Sequence, residues 1–222
     1  MGEVPALGGG VYSLTEAADI LRRSHRLSRR QIRSWLSTAE TFRVRDGKGT
    51  GPFLTFGDLV SLEVVARLRE QHLSAHAVSR AEQKLRRSFP DLLQPFAAVG
   101  LFFTDGLGSV WAALDPEGED VVEIVGHRPQ NFGHMVIAGA IRPYVSEIRI
   151  AKDSPLAESW GLSQWVEIDP RIQYGRPVVK GTRVLVSVIA ANLEVGTPAQ
   201  VADWYGLTVD QVSGARDFAA AA

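Results

Sequence analysis

The sequence predicts an α+β protein, mainly α, built in three parts behind a short leader. Three observations predict it. Helix-start signals precede apolar residues at helical spacing in residues 11–95 and again beyond residue 184. Between them, near residue 101, the texture changes to short β-branched and aromatic runs separated by Gly- and Asp-rich turns. The charge divides as well: residues 1–90 hold 15 Lys and Arg against 9 Asp and Glu, a net of +6, and residues 91–222 hold 9 against 16, a net of −7. A basic front joined to an acidic rear suggests a polyanion-binding half with a separate role behind it. The expected divisions are a disordered leader 1–10, a basic helical domain 11–95, a central β-rich region 96–160 and a trihelical domain 161–222.

In the first domain, Ser13 and Glu16 read as a capping box, and Leu14, Ala17, Ala18 and Leu21 follow as one apolar stripe. Ser28 and Gln31 form a second box, with Ile32, Trp35 and Leu36 on the buried side of the next helix. The opposite face carries Arg30, Arg33, Ser34 and Ser37, with Arg29 and Gln31 near its start. Arg22, Arg23, Arg26, Arg29, Arg30 and Arg33 fall within twelve residues. Arg and Gln suit guanine and adenine edges, and a helix N-terminus favours phosphate. Duplex DNA is the expected ligand of this face, through Arg26, Ser28, Arg29, Arg30, Gln31, Arg33 and Ser34. A basic hairpin follows, with strands 42–45 and 52–55 around the loop 46–51; Arg43, Arg45 and Lys48 make it a further DNA contact. Thr55 with Asp58 caps a helix to about Gln71, and a fourth helix runs from Ser74 to Phe89 before Pro90.

Two short helices, a basic wing and two further helices resemble the winged helix-turn-helix of MerR-like regulators over residues 11–80. Tyr12-Ser-Leu-Thr-Glu-Ala-Ala18, Gln31-Ile-Arg-Ser-Trp35 and Phe53-Leu-Thr-Phe-Gly-Asp-Leu59 carry the resemblance. It implies that Ser28 to Ser37 enter the major groove and Arg43 to Lys48 grip the backbone. The chain departs from the pattern in the turn Arg22 to Leu27, which is long and lacks glycine. It also lacks an effector-binding cysteine, so metal sensing is not implied.

The middle reads as a three-stranded meander over residues 101–104, 109–114 and 121–125, with one more strand at Ile148 and Ile150. The acidic loop Asp115 to Asp120 lacks the ligand spacing of an EF-hand and reads as a solvated tip. His72 and His76, four apart, straddle a helix boundary, and His127 and His134 fall in a loop-like stretch; all four read as surface or structural. No nucleophile elbow, phosphate loop or dinucleotide fingerprint occurs, and no cofactor, metal or catalytic residue is expected. Cysteine is absent. With no apolar run of 18 residues and no basic leader before an apolar core, a soluble cytoplasmic protein is the expectation.

Residues 166–218 carry the most specific strings: Val166-Glu-Ile-Asp-Pro170, Gly175-Arg-Pro-Val-Val-Lys-Gly-Thr-Arg183 and Gly196-Thr-Pro-Ala-Gln-Val-Ala202. Two extended arms precede three helices, the first lined by Val186, Ile189 and Leu193, the second opened by Thr197-Pro198, the third capped by Thr208 and Gln211. The stretch closely resembles a bacterial domain of unknown function found in small antitoxins. Together with the MerR-like front it resembles a VapB-like antitoxin. That resemblance implies a PIN-domain ribonuclease toxin as partner, repression of its own operon at operator DNA, and a homodimer or hetero-oligomer with the toxin. It also implies an arginine competing with metal for the toxin's carboxylates, a role for Arg176 or Arg183. Lys180, Thr182 and Arg183 either contact phosphate or brace the turn. The acidic trio, helix-turn-helix-like in outline, serves DNA or serves as a dimer or partner platform. The competing readings are a stand-alone DNA-binding regulator whose acidic half self-associates or binds a ligand, and an enzyme or small-molecule-binding protein in which the basic helices are incidental.

Overall fold

The computed structural model describes residues 9–22, 28–38, 45–47, 51–70, 74–90, 92, 94–99, 102–104, 110–113, 121–125, 142–143 and 147–221. Helix and sheet are mixed. The first elements are β1 (Tyr12–Ser13), α1 (Leu14–Leu21), α2 (Arg29–Thr38), β2 (Arg45–Gly47), β3 (Gly51–Leu54), α3 (Phe56–Glu70) and α4 (Ala75–Ser88). The helix starts use the caps read from the sequence. Ser13 Oγ accepts from the Glu16 amide at 3.2 Å while Glu16 accepts from the Ser13 amide at 2.8 Å. Thr55 and Asp58 repeat the exchange, and Ser74 Oγ accepts from the Ala77 amide.

The β2–β3 hairpin differs in register from the expected strands. Arg45 pairs with Phe53, Asp46 with Pro52 and Gly47 with Gly51, so the ladder runs into the Gly-rich stretch and only residues 48–50 separate the strands. A further pairing joins β1 to β3, Tyr12 opposite Leu54 and Ser13 opposite Phe53. Two residues are too few to show alternation, so β1 exists only because β3 supplies a partner.

The central strands β4 (Phe102–Thr104), β5 (Val110–Ala113) and β6 (Val121–Val125) form the expected antiparallel meander. A fourth strand, β7 (Arg142–Pro143), adds to the free edge of β4. The strand at Ile148–Ile150, β8, belongs elsewhere. It pairs with β9 (Ala157–Gly161), then β10 (Val166–Ile168) and β11 (Val178–Val179), giving the antiparallel order β11-β10-β9-β8. The expected division at residue 160 therefore lies inside a strand. Ala-Glu-Ser-Trp-Gly of β9 has no β-branched residue, and its extended state comes from pairing on both sides. Helices α5 (Val186–Asn192), α6 (Pro198–Tyr205) and α7 (Val209–Ala220) complete the order. No helix among the described residues is long and apolar enough to cross a membrane.

Two cores result. One gathers Leu21, Ile32, Leu54, the whole inner length of α3, Leu85 and Phe96, and it takes in Ile148, Ala157, Trp160 and Ile168 from the late sheet. The other joins Val166 and Val179 to Ile189, Val201, Val212 and Phe218. Strand β10 thus serves both, Ile168 in the first and Val166 in the second, and Leu162 packs against each.

The tie between front and rear is polar as well as apolar. Tyr12 is 2% exposed, and its hydroxyl donates to the Gly175 carbonyl at 2.7 Å, a buried bond across 163 residues of sequence. Burial, and then the charges of Glu16 and Asp169, push the phenol above its usual range, so it stays a donor. Gly175 sits at φ 78°, and a methyl there would lie 2.2 Å from Tyr12 Oη. Tyr12→Phe is expected to cost about 1–2 kcal/mol through the orphaned carbonyl. Gly175→Ala, adding backbone strain and a clash, is expected to cost about 2–4 kcal/mol. Urea unfolding of the full chain checks the order; equal stabilities of all three proteins would remove this contact as the tie.

Candidate nucleic-acid interface and the C-terminal turn

The front face is built on α2. Ile32 is fully buried and the half-buried Trp35 packs on the same core, which fixes the rotation of the helix. Ser28, Arg30, Gln31, Arg33 and Ser34 are consequently exposed. Arg30, Arg33 and Ser34 share a stripe at i, i+3 and i+4, at the end where unsatisfied amides make the helix electropositive. Arg29 opens the helix and Arg45 opens β2. Arg26, Arg43 and Lys48 lie outside the described residues, as do the leader to residue 8, most of the Arg22–Leu27 turn, the acidic loop 115–120, His72, His127 and His134. His76 is exposed on α4.

Geometry divides the labour among these side chains. Gln31 Oε1 accepts from the Ser28 amide at 2.9 Å and from Ser28 Oγ at 2.8 Å, while Ser28 Oγ accepts from the Gln31 amide at 3.2 Å. Reading adenine bidentately needs the Gln carbonyl as well as its amide, and here the carbonyl closes the cap. Ser28 and Gln31 therefore set the start of the helix, and the arginines are the side chains best placed to reach a phosphate or a guanine.

At the rear, Arg176, Lys180 and Arg183 are all exposed and make no ion pair among the described residues. Their backbone is firmly held. The Gly181 amide donates to buried Glu167 at 2.9 Å and the Lys180 amide to Trp165 O at 2.8 Å. Thr182 Oγ1 donates to Val179 O at 2.8 Å and accepts from the Val184 amide at 3.1 Å. Thr182 thus braces the turn, while Lys180 and Arg183 project from it. Arg176 instead faces a cleft of about 360 Å³, shared with Glu16 and Asp19 of α1 and with Val186 and Phe218.

At the end of β10 lies a charge network that the sequence reading does not single out. The Arg171 guanidinium holds Asp169 through two bonds, 2.9 Å from Nε and 2.6 Å from Nη2, and the Arg171 amide adds a third at 2.9 Å. Glu158 pairs with Arg171 at 2.8 Å and with Arg149 at 2.9 Å, linking β8, β9 and the end of β10. Burial alone would raise the Asp169 carboxyl. The Arg171 bonds and the nearby Arg171 and Arg149 charges outweigh it and hold the carboxyl below its ordinary value. The hydrogen bonds to Asp169 in turn raise the Arg171 guanidinium. No group of three acidic or histidine side chains suited to a metal occurs among the described residues.

The family described as "Protein of unknown function (DUF433)" matches residues 166–219, from β10 to the last turn of α7. "Putative antitoxin VapB45" of Mycobacterium tuberculosis (strain ATCC 25618 / H37Rv) is 35% identical over 126 residues, 53% of this chain and 52% of that protein. The chain thus spans about half the length of that relative. The crystal structure of Rv2018 from Mycobacterium tuberculosis shares the fold, with a TM-score of 0.63 over 97% of this chain and 98% of that one, at 23% identity.

A depressed carboxyl contributes stability that is complete above its unfolded value near pH 4 and is lost as pH falls through the folded value. Asp169→Asn is expected to cost about 1–3 kcal/mol at pH 7 and to flatten the acid limb of stability below pH 4. Unfolding midpoints from pH 2.5 to 7 check this; parallel acid limbs in the two proteins would place the titrating group elsewhere. The stretch of sequence signal that could have found the network is Glu-Ile-Asp-Pro-Arg171, an acid two residues before an arginine at a strand end.

Proposed function

We propose that this chain is the non-catalytic antitoxin of a type II toxin–antitoxin pair. In this reading it binds and neutralises a PIN-domain ribonuclease and represses its own operon at operator DNA. The likeness to VapB45 carries the reading, because at 35% identity over 126 residues it reaches well beyond the 54-residue stretch matched by the domain of unknown function. The DNA half rests on a separate observation: α2 is clamped on one side by Ile32 and offers Arg30 and Arg33 on the other. In this reading α1, α2, the β2–β3 hairpin and α3, which follow in that order, serve as a winged helix-turn-helix, with α2 in the major groove and the hairpin on the backbone.

The ribonuclease half is assigned to the acidic rear. Lys180 and Arg183 are exposed cations on a braced turn and Arg176 is exposed at the mouth of the neighbouring cleft, and either arginine suits a carboxylate-lined active site where an inserted guanidinium excludes metal.

Duplex DNA from the chain's own upstream region, titrated with the full protein across a salt series, tests the first half. With about six phosphates contacted, the log–log slope is expected near −5, and Arg30→Ala with Arg33→Ala is expected to reduce it by about 2. A flat salt dependence would falsify the DNA reading. For the second half, the PIN-domain ribonuclease that this reading places in the same operon is expected to lose RNA cleavage at one equivalent of antitoxin. Undiminished cleavage at excess antitoxin removes the antitoxin assignment and leaves DNA binding standing.

A further inference from the structure

Residues 184–215, covering α5, α6 and half of α7, contain Glu194, Asp203 and Asp210 and no Lys, Arg or His. All three carboxylates are exposed. At the junction of α5 and α6, Glu194 and Asp203 accompany an apolar surface that the fold does not cover. Val195 is 83% exposed and Trp204 53%. The two belong to one surface, because the Trp204 indole lies across Gly196: a methyl on Gly196 would meet Trp204 Cη2 at 2.8 Å. Asn192 Nδ2 donates to Tyr205 Oη at 3.0 Å and holds the end of α5 against the end of α6. Glu194 and Asp203 are the immediate chain neighbours of the two apolar side chains.

Charge selects the occupant. A phosphate backbone is repelled by the two flanking carboxylates, in a stretch of sequence without a cation. The same face of a second copy would set those carboxylates against their like. An apolar pocket rimmed by Lys or Arg on a different protein complements both parts of the surface. We propose that Val195, Gly196 and Trp204 form the docking surface for the protein partner, and, resting on the antitoxin reading above, that this partner is the ribonuclease. The indole is the anchor: large, rigid and already laid on Gly196, it loses little freedom when covered. Glu194 and Asp203 steer the basic rim towards it. The C-terminal helical trio is then a protein-binding platform and takes no part in DNA contact.

The experiment uses the full chain and the purified PIN-domain ribonuclease that the antitoxin reading places in its operon, with affinities and rates measured by biolayer interferometry. Trp204→Ala and Val195→Asp are each expected to weaken binding about 30-fold or more, the loss of a central anchor. Glu194→Lys with Asp203→Lys is expected to slow association about tenfold and to reverse its salt dependence. Arg30→Ala with Arg33→Ala is expected to bind the ribonuclease as the wild type does. Val195 touches little of its own fold, so an unchanged melting temperature in Val195→Asp separates lost docking from lost folding. If wild type and Val195→Asp bind equally, the surface is wrong and the antitoxin reading survives. If wild type does not bind, the antitoxin reading falls and takes this surface with it. If sedimentation shows that Val195→Asp instead dissolves a homodimer, the face is a self-interface and the proposal is overturned.

Discussion

One buried hydrogen bond, from the Tyr12 hydroxyl to the Gly175 carbonyl, registers the two ends of this protein against each other. Its geometry leaves room for nothing beyond a hydrogen at Gly175, whose backbone is also left-handed. The two residues come from the two strings that make the sequence recognisable, the Tyr-Ser-Leu-Thr start and the Gly-Arg-Pro turn. Structure gives those strings a shared physical reason. Tyr12 lies on β1, pairs with β3 and immediately precedes α1, so the position of the first helix is referenced to a turn near residue 175. The Asp169–Arg171–Glu158–Arg149 network then stiffens the ground on which that turn rests.

From this tie follows the presentation of both working faces. Helix α2 is held through Ile32 by a core that also contains Trp160 and Ile168 of the late sheet. Its arginines therefore project from a scaffold completed by residues more than a hundred positions downstream. At the rear, the Lys180–Arg183 turn is braced from within by Thr182 and Glu167, which frees its cationic side chains for an outside partner. Rigid backbone under exposed charge is the arrangement that binding sites favour, because little is lost on ordering.

Local signals made much of this legible. The caps at Ser13, Ser28, Thr55, Ser74, Thr197 and Thr208 stand where side-chain chemistry required them, because capping is decided within four residues. What stayed hidden was non-local. Strand β1 is two residues long, β9 has no β-branched residue and β7 includes a proline; each becomes a strand only by finding a distant partner. The same reason hid the Tyr12–Gly175 bond and the place of Ile148–Ile150 in the later sheet. At the candidate interface, sequence marked the stripe of Arg30 and Arg33 correctly as outward-facing, since Ile32 and Trp35 at helical spacing settle that. Gln31 was legible there as a capping residue as well as a DNA contact, and the cap is the bond it makes within the chain. Nor did composition mark Trp204, whose exposure depends on how α6 meets α5.

Because β10 belongs to both cores, the timing of synthesis matters. The amino-terminal helices leave the ribosome first, but their core lacks Trp160 and Ile168, and Tyr12 lacks its acceptor, until the chain has grown by another 163 residues. At about 5–20 residues per second, that delay is on the order of ten to thirty seconds. Through that interval the core around α1 and α2 is without its late-sheet residues. The front half thus gains its full core only with the rear half, and a nascent chain interrupted before residue 175 lacks the acceptor of Tyr12.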